Sequence, residues 1–218
     1  MRISVVYDNE ALDGFCSGWA FSCLVEAHGK KLLFDTGWSG TQLVSNMAKL
    51  GVAPKSIDAI FISHDHWDHA GGLAYLLGVT GNIPVFVPCS FSTHLKEEIG
   101  KLSKLVEVSD AVEMLPGLFS TGELGSIVKE QSLVVKTDKG NIVVCGCSHP
   151  GVENILQKAR SFGEVYGIIG GLHGFDNLEA LGQLKLLVPC HCTQKKKEIM
   201  ERFPDASKEC KAGTAIEI

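Results

Sequence analysis

The stretch Ser63-His64-Asp65-His66-Trp67-Asp68-His69-Ala70-Gly71-Gly72 decides how this chain is interpreted, because it packs nitrogen and oxygen donors at unusual density. Donors crowded together repel one another unless a cation lies between them, and neutral imidazole and carboxylate are the usual ligands of divalent metals. In an extended segment His64 and His66 project to the same side, and a turn at Asp68 and His69 can aim two more donors at that volume. The stretch therefore predicts a metal site with donors enough for two ions; the alternative is a polar surface loop.

The composition around this motif is typical of a globular protein. The chain has 218 residues, of which 45% are hydrophobic and 21% charged, and its net charge is −5. This length suffices for one large core, so we expect residues 1–218 to form one domain. The acidic balance argues against a nucleic-acid partner, and no apolar run reaches the roughly 18–20 residues of a membrane span. Residues 1–7 are typical of a strand and not of a secretory signal, so we expect a cytoplasmic protein.

Eight cysteines raise two further possibilities. Without a signal peptide we expect them to be reduced, and most of them to behave as small buried hydrophobes. The pairs Cys145/Cys147 and Cys190/Cys192 each lie beside a histidine, so a structural zinc built from them is possible, although Cys-x-Cys is not the usual ligand spacing. If the chain is extended there, Cys147 and His149 share a face, which leaves thiol catalysis open as well.

Short apolar runs separated by glycine-containing turns predict strands, and apolar residues at helical spacing predict helices between them. The predicted strands are 3–7, 20–27, 31–34, 59–62, 85–87, 105–108, 133–137, 142–145, 165–169 and 186–188. The predicted helices are 41–50, 70–77, 92–99, 152–160 and 194–202. The order of hairpins and β–α units occurs twice, which indicates two similar halves, each a mixed sheet covered by helices on one side.

Four further polar signals follow predicted strands. Asp35-Thr36-Gly37 comes after the run 31–34, and His149, His173 and His191 each come at or after the end of a buried strand. Loops at strand ends, held by a rigid sheet, are where ligand sites gather. We therefore expect these side chains to lie near the donors of the 64–69 stretch.

The order of these motifs resembles the metallo-β-lactamase superfamily of metal-dependent hydrolases, over nearly the whole chain. The segments around His149, His173 and His191 are similar to one branch, which includes an archaeal synthase that joins a dihydropterin to a ribofuranosylaminobenzene phosphate. The resemblance implies an α+β fold, a four-layer αββα sandwich of two mixed sheets. It also implies a dinuclear metal site along one edge of both sheets.

The resemblance also implies the ligands of each ion. The first ion would take His64, His66 and His149, and the second would take Asp68, His69 and His191. Asp35 would order the ligand loop through hydrogen bonds. Zinc is the expected metal, with manganese and iron as alternatives, because histidine and aspartate sites accept all three.

One position departs from the superfamily pattern. Many dinuclear members carry an aspartate that bridges both ions at the end of a strand where this chain offers His173, with Asp176 three residues later. An imidazole cannot bridge through two oxygens, so occupancy of the second site is left open. We interpret Asp68 as a ligand that also orients the attacking hydroxide, and His173 as a ligand, a general acid or a substrate contact; a structural, hydrogen-bonded histidine is the alternative.

Three functions follow from this interpretation. The first is a metal-dependent hydrolase, in which a metal-activated hydroxide attacks a small ester or a phosphate-bearing substrate. The second is a pterin-condensing transferase that uses the same metal site. The third is a redox module, which His66 argues against because the diiron relatives carry glutamate there. We expect a small-molecule substrate, no nucleic acid and no membrane partner; the oligomeric state is open.

Overall fold

The computed structural model describes residues 1–218. Thirteen strands form two sheets. The seven-stranded sheet contains, in spatial order, β13 (Ala215–Glu217), β1 (Arg2–Tyr7), β2 (Ser22–Ala27), β3 (Lys30–Phe34), β4 (Ala59–Phe61), β5 (Pro84–Pro88) and β6 (Lys104–Val108). The six-stranded sheet contains β12 (Leu186–Cys190), β11 (Val165–Gly171), β10 (Asn141–Cys145), β9 (Leu133–Val135), β8 (Leu118–Ser120) and β7 (Val112–Leu115).

Both sheets are mixed, and each has its antiparallel pairs at one end and its parallel pairs at the other. In the first, β13, β1, β2 and β3 pair antiparallel, and β3 to β6 pair parallel. In the second, β7 to β10 pair antiparallel, and β10 to β12 pair parallel. Because parallel strands end at one edge, the segments that follow β3 and β4, and those that follow β10, β11 and β12, emerge together.

The helices connect the parallel strands. They are α1 (Gly40–Lys49), α2 (Trp67–Ala70), α3 (Leu73–Thr80), α4 (Thr93–Leu102), α5 (Val152–Arg160) and α6 (Lys196–Arg202), with short 3-10 helices at Pro54–Ser56 and Leu178–Leu181. No helix has both the length and the apolarity that crossing a membrane requires.

Three separate apolar cores hold the layers together. Along β10, Ile142 and Val144 pack into the core between the two sheets, whereas Val143 and Cys145 pack into the core beneath α5. A third core lies between the first sheet and α1, α3 and α4. Because side chains alternate across a strand, a strand that is covered on both faces must be apolar at every position. The predicted α+β, four-layer αββα sandwich is therefore confirmed.

The structure corrects several sequence-based boundaries. Strands β7, β8 and β13 were not predicted, since they are only three or four residues long and β7 is half exposed at a sheet edge. The helix predicted over 70–77 is two helices, α2 and α3. The chain is not extended from Cys145 to His149: β10 ends at Cys145, and Ser148 has a φ of 58°. Cys145 packs into the helix-side core beneath α5.

Candidate metal centre

The sequence-predicted donors meet at the edge where the parallel strands of both sheets end. Two triads form, in each of which the donor atoms lie within 4.8 Å of one another. The first triad is His64, His66 and His149, and the second triad is Asp68, His69 and His191. The rings of His64 and His69 connect the two, because their centroids are 4.3 Å apart.

In the first triad, one ring nitrogen of each of two imidazoles lacks a hydrogen-bond partner. The Nε2 atoms of His64 and His149 are buried and have no hydrogen-bond partner. The His149 ring lies 4.9 Å from the rings of both His64 and His66, centroid to centroid. A buried nitrogen left without a partner costs about 1–3 kcal/mol, so such atoms normally have a function. Their convergence on one volume fits a divalent cation.

Asp35 lies behind the donors and sets the proton positions of two rings. Its carboxylate accepts hydrogen bonds from the Ser63 N–H at 2.7 Å, the Ser63 hydroxyl at 2.8 Å and Nδ1–H of His69 at 2.7 Å. Since Ser63 gives its only hydroxyl proton to Asp35, its oxygen accepts from Nδ1–H of His64, 2.9 Å away. Both rings then direct an Nε2 lone pair at the site, the tautomer that a metal requires. The hydrogen bonds expected of Asp35 are thus confirmed.

His191 in the second triad is positioned by the end of β1, a role that the sequence analysis missed. The Asp8 carboxylate accepts the His191 N–H at 2.8 Å, and the Asn9 amide donates to the His191 carbonyl at 2.8 Å. The Asn9 oxygen accepts from Nδ1 of the ring at 3.0 Å, which leaves Nε2 facing Asp68 Oδ2 at 3.1 Å. An imidazole lone pair facing a carboxylate oxygen again fits a cation between them. The signal was available, since Asp8 follows β1 as Asp35 follows β3.

Glu130 is a third residue that the sequence analysis missed. It is fully buried, and its carboxylate accepts four successive backbone N–H groups, those of residues 146 to 149, at 2.9 to 3.1 Å. Burial raises the pKa of Glu130, and these N–H groups oppose that rise. The carboxylate holds the turn that carries Cys147 and His149 into the site. In the sequence, Glu130 is one acidic residue shortly before the apolar strand β9, and no neighbouring residue indicates that it will accept hydrogen bonds from a distant turn.

The electrostatic environment favours metal-binding protonation states. Burial, reinforced by His69, holds the pKa of His64 well below its usual range, and burial with the neighbouring His66 lowers the pKa of His149 to about 4. Although burial opposes it, the hydrogen bond with His191 and the charge on His69 lower the pKa of Asp68 to about 2. These imidazoles are therefore neutral and this carboxylate ionised at neutral pH, as metal ligands must be.

His69 behaves differently from the other imidazoles. Burial lowers its pKa, but the carboxylate of Asp35, together with those of Asp68 and Glu130, outweighs burial and raises it. Without a cation, this ring therefore takes up a proton more readily than an ordinary histidine. A metal ion at Nε2 would displace that proton, so binding should release one to solvent.

His173 stands apart from both triads. Its side chain is exposed, and its ring centroid lies 5.3 Å from that of His149. Its φ of 46° lies in the left-handed region, at the turn that follows β11. Asp176 is exposed as well. The residues that follow β11 therefore place no donor in either triad, and His173 lies beside the first triad, where a substrate could reach it.

The cysteine alternatives do not match the structure. Cys147 and Cys192, one cysteine from each pair, group with His191, but Cys145 belongs to no donor group and Cys190 groups with Asp8 and Cys210, so the two Cys-x-Cys pairs do not form one zinc site. The Cys147 Sγ lies 3.2 Å from Nε2 of His69, and no hydrogen bond joins it to His149. The pairing of Cys147 with His149 that thiol catalysis would need is therefore absent.

We expect Glu130→Gln to lower the free energy of unfolding of the metal-free protein by about 3 kcal/mol. The amide keeps one acceptor oxygen and turns an NH₂ group toward backbone N–H donors, so buried donors lose their partner. Urea denaturation followed by circular dichroism measures this loss. Glu97→Gln on the exposed face of α4 is the matched control and should change stability by less than about 0.5 kcal/mol. Equal midpoints for the two variants would contradict the assigned role of Glu130.

Two mixed sheets with imidazole and carboxylate donors at a shared edge define a metallo-β-lactamase-type fold. A sequence model of the metallo-beta-lactamase superfamily matches residues 20–188, and the chain belongs to that superfamily. The 7,8-dihydropterin-6-methyl-4-(beta-D-ribofuranosyl)-aminobenzene-5'-phosphate synthase of Methanocaldococcus jannaschii is 32% identical, over 91% of this chain and 89% of the relative.

Solved structures agree with the family assignment. A metal-dependent hydrolase of the beta-lactamase superfamily is 28% identical, with a TM-score of 0.82, over 100% of this chain and 99% of that one. The short form of human tRNase Z superposes with a TM-score of 0.68 at 17% identity, over 100% of this chain and 99% of that one. At that identity the second likeness concerns the fold alone.

Proposed function

We propose that this protein is a metal-dependent hydrolase that holds two divalent ions, zinc first and manganese or iron as alternatives, and acts on a small ester or phosphate-bearing substrate. The observation that supports this most directly is the pair of facing triads, in the first of which two buried imidazole nitrogens, those of His64 and His149, have no hydrogen-bond partner. The likeness to a solved metal-dependent hydrolase of the beta-lactamase superfamily, at 28% identity, supports it further.

His64, His66 and His149 would hold one ion, and Asp68, His69 and His191 the other. When bound, the ions would lower the pKa of a water to about 7 and polarise the electrophile. Of the chain's own groups, Asp68 offers one oxygen to the second triad and keeps the other to accept a hydrogen bond from the attacking water or hydroxide, which orients it. His173, exposed beside His149, is placed to donate a proton to the leaving group or to bind substrate. Asp35 fixes the tautomers of His64 and His69 throughout.

The surface around the donors suits a small molecule. His149 borders a cleft of about 310 Å³ that His173 and Phe175 also line, and a second cleft of about 530 Å³ beside Ile127. The half-exposed Trp19 lies 4.9 Å from the His191 ring, centroid to centroid. Imidazoles, one flat aromatic surface and clefts of this size suit a compact and partly aromatic substrate.

A pterin-condensing transferase is the second candidate. One observation favours it specifically, the 32% identity to an archaeal synthase over nearly the full length of both chains. In that reaction the same donors would hold a metal that activates a leaving group or a nucleophile other than water. The half-exposed ring of Trp19 beside His191 could stack on a pterin.

The two candidates are separated by assay of protein loaded with zinc, manganese or iron(II). We would test generic phosphodiesters, lactones and thioesters beside the condensation of a dihydropterin with ribofuranosylaminobenzene phosphate. Metal-dependent hydrolysis without condensation supports the first proposal, and condensation without hydrolysis supports the second. Full activity in chelator-treated protein that contains no metal by elemental analysis would refute both.

A further inference from the structure

We propose that the Cys147 sulfur is a metal ligand between the two triads. This rests on the proposed metal centre and adds a ligand to it. The Cys147 side chain is buried, and its Sγ lies 3.2 Å from Nε2 of His69. The same Sγ lies within 4.8 Å of donor atoms of His64 and of His191. It therefore approaches ligand atoms from both triads.

The separations match those of atoms that share an ion. Zinc binds thiolate at about 2.3 Å and imidazole at about 2.0–2.1 Å, so sulfur and nitrogen at tetrahedral angles lie roughly 3.5 Å apart. The two atoms can be at most about 4.4 Å apart on one ion, by the same bond lengths. The observed 3.2 Å between Cys147 Sγ and His69 Nε2 is close to the tetrahedral value. In the metal-free protein the thiol proton can occupy the space between them.

The end of β11 leaves no room for a side chain at Gly171, beside Cys147. At the end of β11, a Cβ on Gly171 would lie 2.4 Å from the Gly146 carbonyl oxygen and 2.6 Å from the Cys192 Sγ. A carboxylate-bearing side chain has no room there, and His173 two residues later is exposed. Meanwhile Glu130 accepts the Cys147 N–H at 3.1 Å, which holds this residue in the turn facing the donors.

Metal binding at Cys147 would exchange the thiol proton for the ion. The Cys147 thiol loses its proton to solvent, the sulfur lone pair forms a bond to the divalent ion, and no electron is transferred. A bound cation makes this loss of a proton favourable, since coordinating thiols are deprotonated outright. A soft sulfur ligand would favour zinc over manganese, which prefers oxygen.

The test uses metal spectroscopy, so that it does not depend on turnover. We would load the reduced, full-length protein with cobalt(II) and record the near-ultraviolet sulfur-to-cobalt charge-transfer absorption. The band is expected in the unsubstituted protein and in Cys192→Ala, a control at the neighbouring buried thiol, and is expected to be lost in Cys147→Ala and Cys147→Ser. A band that survives Cys147→Ala, or that disappears in Cys192→Ala, overturns the assignment.

X-ray absorption at the zinc edge provides a measurement that needs no variant. The unsubstituted zinc protein should show a sulfur neighbour at about 2.3 Å beside the nitrogen and oxygen shell. A shell of nitrogen and oxygen alone refutes the cysteine ligand and leaves the histidine and aspartate centre standing. Failure to bind cobalt or zinc at all would instead refute the proposed function.

Discussion

His66→Ala is expected to remove metal from the first triad and to lower metal-dependent turnover by more than about 100-fold. The estimate is a lower bound, because losing only an outer partner of a ligand already costs 10–100-fold. The His66 side chain makes no hydrogen bond to protein, while its backbone carbonyl, which alanine keeps, accepts the N–H groups of His69 and Ala70. The fold should therefore survive, and metal content by elemental analysis should fall with activity.

His94→Ala provides the matched control for this loss. His94 is exposed on α4, outside both triads, so its removal should leave metal content and activity unchanged. Far-ultraviolet circular dichroism of both variants establishes that neither has unfolded. Turnover retained by His66→Ala with metal absent would refute the mechanism, and metal retained at full stoichiometry would remove His66 from the ligand set.

Gly170→Ala is the substitution expected to damage folding most. A Cβ at this position would lie 1.9 Å from the carbonyl oxygen of Cys145 on the neighbouring strand, and the φ of 131° is strained for any residue but glycine. Neither backbone can move without breaking the pairing of β10 with β11, which joins Cys145 to Gly170. We expect a loss of about 4–5 kcal/mol or more in the free energy of unfolding, which is a large fraction of the roughly 5–15 kcal/mol by which a typical domain is stable.

The same change at Gly78 is the control. Gly78 lies inside α3, and a Cβ there would meet no atom within 4 Å. Alanine in a helix is favoured over glycine by roughly 0.5–1 kcal/mol, so this variant should be slightly more stable. Denaturant titration of the two variants compares them directly. A Gly170→Ala protein that unfolds at the midpoint of the unsubstituted chain would show that β10 and β11 are not packed as closely as described.

Several parts of the fold could be predicted because their signals are local. The apolar runs of β3, β4, β10 and β11 identify strands buried on both faces, which need apolar residues at every position. The short edge strands β7 and β8 carry mixed and half-exposed residues, so their pattern does not distinguish them from a loop. Likewise, the turn at Ser148 could not be seen in the sequence, and it is this turn that ends the extended course expected between Cys147 and His149.

On the sequence alone, the 64–69 stretch indicated metal chemistry, because donor spacing within one short segment is a local property. The order of Asp35, this stretch, His149 and His191 along the chain indicated the superfamily. Asp8, Asn9, Glu130 and Cys147 acquired their places only in the folded chain. Asp8 meets His191 across 183 positions of sequence, and Glu130 meets the 146–149 turn across 16 to 19. Contacts of that kind arise from the packing of two sheets at one edge, and no periodicity along the chain records which side chains that packing will bring together.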